Sequence, residues 1–200
     1  MFEEAAAEMG LDAAETRVVI QGFGNVGSWA ARIIQDLGCR IVGVSEATRA
    51  ITSESGIDAP ALHAHIGAGG GLTEFEGVEP LDPDDLLGIE CEVFIPAALG
   101  GMIHQDNADR VRCRMVIEGA NSPTTPAADE ILTDKGVVVI PDVMANAGGV
   151  IVSYFEWVQN LQHFRWDERE VNERMGRIMR KAFGEVSERA SADDVSLRTA

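Results

Sequence analysis

The stretch Arg17-Val18-Val19-Ile20-Gln21-Gly22-Phe23-Gly24-Asn25-Val26-Gly27 decides the fold of this chain. Val18 to Ile20 is a short apolar, β-branched run suited to a buried strand. It leads directly into G-x-G-x-x-G, and a helical pattern starts at Ser28-Trp29-Ala30-Ala31-Arg32-Ile33-Ile34. In such a turn the first glycine permits the tight exit from the strand. The second lets backbone approach a pyrophosphate, and the third lets the helix pack closely on the sheet. The amide-rich start of that helix then faces the phosphates. A second apolar run, Ile41 to Val44, ends near Glu46, nineteen residues beyond Gly27. That is where such a unit places the carboxylate that holds the adenosine ribose. The competing reading is a glycine-rich turn with no ligand, but the strand before it and the helix after it supply the context the motif needs.

Working outward, β and α signals alternate. Strands are expected at Arg17 to Gln21, Arg40 to Ser45, Glu92 to Ile95, Arg114 to Glu118 and Val137 to Ile140. Helices are expected at Asn25 to Leu37, Ala59 to Ala68, Pro83 to Leu87 and Thr125 to Asp134. This alternation predicts an α/β fold: a doubly wound, mostly parallel sheet covered by helices on both faces. Phe2 to Gly10 reads as the last turns of a helix that Gly10 stops. Ala68-Gly69-Gly70-Gly71 follows no strand and reads as a flexible joint. After Pro141 the strand signal ends, and helices are expected from Val150 to Gln162 and from Glu168, capped by Asp167, to about Ala190. The expected organisation is a helix and linker over 1–16, the sheet domain over 17–150 and terminal helices over 151–200 that return toward a partner domain. Both ends read as cut.

The apolar fraction of 46% suffices for a core, and no segment reads as a membrane span. The acidic start, Met1-Phe2-Glu3-Glu4, is unlike a signal peptide. Cys39, Cys91 and Cys113 read as reduced thiols of a cytoplasmic protein. A net charge of −17 argues against nucleic-acid or anionic-membrane partners. Fourteen of the sixteen basic residues are Arg, leaving only Lys135 and Lys181. Such an acidic, lysine-poor surface suits concentrated salt, with a GC-rich genome as the other reading.

Three segments follow predicted strands, where an α/β protein builds its crevice. In Ile95-Pro96-Ala97-Ala98-Leu99, small residues would let an adenosine lie against backbone, or simply pack a strand exit. In Glu118-Gly119-Ala120-Asn121-Ser122-Pro123-Thr124-Thr125, Asn121 could bond a ribose or a nicotinamide amide, while a capped turn is the plainer reading. In Pro141 to Val150, Asn146 stands beside the diglycine Gly148-Gly149. The histidines read as structural or exposed, with no metal site, since His63 and His65 lack a third ligand within reach. The run Glu79 to Asp85 reads as a solvated helix start.

Together these segments resemble the nucleotide-binding half of a glutamate dehydrogenase, within the Glu/Leu/Phe/Val dehydrogenase family. The resemblance is carried by VVIQGFGNVG (Val18 to Gly27), IPAAL (Ile95 to Leu99), EGANSPTTPAADEIL (Glu118 to Leu132) and ANAGGVIVSYFEWVQN (Ala145 to Asn160). Leucine and phenylalanine dehydrogenases share parts of the first motif but do not resemble the chain through SYFEWVQN. The resemblance implies that Gly22, Gly24 and Gly27 wrap a pyrophosphate, with Phe23, Asn25 and Val26 in the same turn. It implies Glu46 on the adenosine ribose, Ala97 and Ala98 along the nucleotide, and Asn121 and Asn146 at the nicotinamide end. Val150 and Ser153 would line the substrate side-chain pocket, Ser153 bonding the distal carboxylate. On residues alone, Ser153 reads as a solvated or back-bonded helix serine.

The implied reaction is oxidative deamination of L-glutamate to 2-oxoglutarate and ammonia, in a homo-oligomer. That chemistry needs a base and cations, which the family draws from a substrate domain upstream. Neither Lys135 nor Lys181 follows a strand exit, so no catalytic residue is assigned and the chain alone is expected to be inactive. Glu46 favours NAD over NADP, although Arg49 three residues later could accept a 2′-phosphate.

Overall fold

β1 (Arg17–Gln21) lies inside a seven-stranded sheet of order β4-β3-β2-β1-β5-β6-β7 in a computed structural model describing residues 1–200. Its neighbours are β2 (Arg40–Ser45) on one side and β5 (Val93–Pro96) on the other, both parallel to it. β6 (Met115–Ile117) and β7 (Val138–Ile140) continue the parallel set. The chain winds outward in one direction from β1 to β2, then returns to β5 and winds the other way. Strand order therefore reverses between β1 and β5, the point where an open α/β sheet leaves a crevice at its carboxyl ends.

Strand side chains alternate between faces, so one strand feeds two cores. Val18 and Ile20 join a cluster with Ala31 and Ile34 of α2 (Asn25–Asp36) and with Ala59 and Leu62 of α3 (Ala59–Gly67). Phe2, Ala5 and Ala6 of α1 (Phe2–Met9) and Phe183 of α7 (Glu168–Asp193) belong to the same cluster. Val19 faces the other way, into a cluster with Leu86, Leu87, Phe94 and Val116 and with Ala128 and Leu132 of α4 (Pro126–Asp134). Both faces are covered, as the near-continuous apolar strands predict.

The expected strands and longer helices are present, with ends shifted by at most three residues. The sequence pattern missed β3 (Ala50–Thr52) and β4 (Glu79–Leu81), which add an antiparallel margin. Each spans three residues, and Pro80 lacks the donor an interior strand needs, so β4 is tolerated only at the edge. The acidic run expected to start a helix is therefore strand first. Asp82 then accepts from the Asp84 amide at 2.9 Å and caps a 3₁₀ helix, Pro83–Gly88, in place of the expected α-helix. The glycine run at 68–71 is fastened, not loose: His65 Nε2 lies 3.1 Å from the Gly71 carbonyl, and the Gly71 amide donates to Glu74.

Beyond β7 come a short α5 (Asp142–Ala145), then α6 (Gly148–Gln162) and α7, which Asp167 caps as expected. All three cysteines are free. Burial raises the Cys39 thiol to about 11 and the Cys113 thiol to about 12. No helix is long and apolar enough to cross a membrane.

Candidate functional site

The turn after β1 has the shape its glycines predict. Gly22 adopts φ 96°, a left-handed conformation, and a Cβ there would lie 2.8 Å from that of Ala98. A Cβ on Gly27 would overlap the Gly22 carbonyl oxygen, so this glycine lets α2 close onto the turn. Gly24 differs: a Cβ there meets no protein atom within 4 Å, because its α-carbon faces open crevice. Phe23 points inward, with its ring in the core.

Helix ends reinforce the geometry. Of the helices with eight or more residues, only α2 and α6 have neither a side-chain cap nor an acid in the first turn. No side chain takes their N-terminal amides, although the Gly149 amide of α6 reaches the Asn146 carbonyl at 3.4 Å, and the positive end of each helix dipole faces the crevice uncompensated. Val26 in the first turn of α2, and Ala147 and Val150 at the start of α6, line the same cavity.

That cavity, about 710 Å³, also takes in Ala97, Ala98, Gly119, Asn121, Val143 and Asn146. A second, of about 760 Å³, is lined by Gly22, Phe23, Gly24, Glu46 and Leu87, with Ala97 and Ala98 again. The two therefore share the Ala97-Ala98 wall and together make up the crevice at the ends of β1, β2, β5 and β6. Asn146 Nδ2 donates to Asn121 Oδ1 at 2.7 Å, which joins the two asparagines predicted from separate strand exits. Asn25 and Ser153 are exposed and line neither cavity, though Ser153 is one helical step beyond Val150.

A brace stands behind the asparagines. Glu118, fully buried, accepts from Arg198 Nη2 at 2.7 Å and from the Asp142 amide at 2.8 Å. Asp142 in turn accepts from the Ser122 amide at 2.7 Å and so holds a residue at φ 44°, unusual for a non-glycine. Arg198 also reaches Asp129 at 3.2 Å, and this surrounding negative charge raises its pKa against the opposing cost of burial.

Sequence reasoning missed several lining residues. Asp84, Met102, His104 and Asn107 reach the larger cavity from the 3₁₀ helix and from the loop after β5. His104, expected to be structural or solvated, thus lies in the crevice; its Nδ1 accepts from the Asp106 amide at 3.3 Å. Arg49, considered as a phosphate acceptor, lies outside the lining of either cavity and points toward Gly71 and Glu74. No Lys or Arg lines the crevice. Lys135 Nζ is held by the Asp109 and Val111 carbonyls at 2.7 and 2.8 Å, and Lys181 pairs with Glu185 along α7.

A glycine turn of this form, at the switch point of a mostly parallel, helix-covered sheet, defines the Rossmann-type domain of a dehydrogenase. The chain belongs to the Glutamate/Leucine/Phenylalanine/Valine dehydrogenase family, whose profile matches residues 1–200. Members of this family depend on NAD or NADP. The chain is 43% identical over 193 residues to a glutamate dehydrogenase of Thermotoga maritima, covering 96% of the chain and 46% of that protein. Among solved structures it resembles a hetero-hexameric glutamate dehydrogenase of Thermus thermophilus in a leucine-bound form. That match has a TM-score of 0.91 and 34% identity, over 98% of this chain and 46% of the other. A glutamate dehydrogenase of Peptoniphilus asaccharolyticus matches with a TM-score of 0.81 and 34% identity, over 98% and 45% of the respective chains. The chain thus spans about half the length of these relatives.

Proposed function

We propose that the chain is the cofactor-binding half of an NAD-linked glutamate dehydrogenase, interconverting L-glutamate with 2-oxoglutarate and ammonia. The observation that carries this reading is the pair of cavities, of about 710 and 760 Å³, that meet at Ala97-Ala98 on either side of the glycine turn. The diphosphate would lie over Gly22 and Gly24 at the start of α2, with Gly27 holding the helix close. Glu46 would accept the adenosine ribose hydroxyls. Asn121 and Asn146 would fix the nicotinamide end, beside Val150. Ser153 would meet the substrate's distal carboxylate from the exposed face of α6.

NAD is preferred over NADP in this reading. Two carboxylates, Glu46 and Asp84, line the adenosine half, while Arg49 is turned toward Gly71. A 2′-phosphate would meet negative charge there without a compensating cation. When bound, the nicotinamide carrier supplies the hydride acceptor. These residues orient it and shield one side from water; the α-carboxylate cations and the proton acceptor come from the rest of the protein. The exposed stripe Val150, Tyr154, Trp157 and Leu161 on α6 continues from the nicotinamide half and suits contact with that remaining half. A homohexamer in the cytoplasm completes the reading; the Thermus thermophilus relative is a hetero-hexamer.

The absence of Lys and Arg from the crevice lining favours a second reading, a stand-alone nucleotide-binding module. Fluorescence titration with NADH and NADPH, alongside glutamate turnover by the chain alone and joined to its upstream half, tests both. Binding of NADH by the chain, with turnover only in the joined protein, is expected. Binding without turnover in either form would support the module instead, and faster turnover of leucine than glutamate would remove the role given to Ser153.

A further inference from the structure

Gln21 closes β1 immediately before the glycine turn, and the residue is 6% exposed. Its Oε1 is buried without a hydrogen-bond partner. An orphaned buried acceptor costs roughly 1–3 kcal/mol, so such groups are rare unless something outside the fold satisfies them. Thr124 Oγ1 is the other buried side-chain atom in this condition, but Thr124 lines neither half of the crevice. Gln21 does line it, in the larger half beside Gly22, Ser45 and Glu46. Its place on β1 explains the direction. In register it sits between Ser45 of β2 and Pro96 of β5, at the switch point itself, where strand ends open onto the cavity.

The geometry points to Gln21 as a ligand-binding residue: its carboxamide hydrogen-bonds the adenosine-diphosphate half of the bound dinucleotide. This rests on the cofactor reading above. A carboxamide carries both a donor and an acceptor, and its terminal torsion is soft and roughly two-fold. A half-turn offers either end to the crevice, so a ribose hydroxyl or a phosphate oxygen can be met without moving the strand. Turned outward, the oxygen gains from the ligand a partner it lacks in the free protein, so an acceptor that costs the free protein stability is satisfied on binding.

Gln21→Met tests this, since it keeps the length and flexibility of the side chain while deleting both polar ends. Thermal unfolding of the free chain should shift upward by a few degrees, as the orphaned acceptor is removed. Affinity for NADH and for ADP-ribose should fall together by about tenfold, the scale of one lost hydrogen bond. Affinity for nicotinamide mononucleotide should not change. Gln21→Asn, which keeps the amide but shortens its reach, should lose affinity with a smaller rise in melting temperature. Unchanged NADH affinity in Gln21→Met overturns the assignment. So does a loss confined to nicotinamide mononucleotide, which would place the contact in the other half. A wild-type chain that binds none of the three probes overturns the cofactor reading itself and is thereby distinguished from a failure of Gln21 alone.

Discussion

Gly24 and Gly27 stand three residues apart in one turn, yet a methyl group would act on them in opposite ways. At Gly27 it would enter the Gly22 carbonyl, and α2 would have to lift from the sheet. Overpacking of this kind costs about 1–3 kcal/mol, or more where backbone is the obstacle. Gly27→Ala should therefore lower the denaturant midpoint and weaken dinucleotide binding together. At Gly24 the methyl group meets only crevice, and the backbone φ of −78° is open to any residue. Gly24→Ala should leave thermal stability within about 0.5 kcal/mol of wild type while weakening NADH binding at least tenfold. Equal losses of stability in the two variants would contradict this division of labour. The steric place of these glycines was legible in the sequence because Gly22, Gly24 and Gly27 share one turn. The lining by Asp84, His104 and Asn107 was not, since it depends on how distant loops fold over the strand ends.

At the scale of elements, the segment after α7 acts as a clasp on the crevice. Arg198 joins the exit of β6, through Glu118, to α4, through Asp129. Glu118 then holds α5 by its first amide, and α5 holds the strained turn beside Asn121. Arg198→Met leaves a fully buried carboxylate without its cation. Breaking a buried pair costs several kcal/mol; because Arg198 is partly exposed, a loss of about 1–3 kcal/mol is expected in urea unfolding. Arg198→Lys should recover less than half, because an ammonium cannot span two carboxylates as the guanidinium fork does. Full recovery by Lys would mean that charge alone suffices. No sequence signal marks this clasp, since its partners lie eighty residues apart. The same limit hid β3 and β4: three-residue strands carry too few side chains to show alternation, and their pairing is decided by the sheet they join.

For the molecule as a whole, net charge shapes behaviour more than any single pair does. At −17 over 200 residues, self-repulsion opposes the compact state. Most ion pairs are exposed, such as Arg169 with Glu173 and Lys181 with Glu185 along α7, so they offset little of it. Raising salt from about 0.05 M to 1 M shortens the screening length from above 10 Å to about 3 Å. The melting temperature should rise by several degrees over that range at pH 7, and a fall would contradict an acidic surface adapted to salt. The α/β class and the mostly parallel sheet were legible from the alternation of strand and helix signals, because that pattern repeats from Arg17 to Ile140. The antiparallel margin was not.

The Ala97-Ala98 wall has a further bearing on what this fold can become. Two methyl groups stand where the two cavities meet, and Gly22 packs against that of Ala98. A bulkier side chain at either position would act as a bulkhead, leaving two compartments each sized for a mononucleotide.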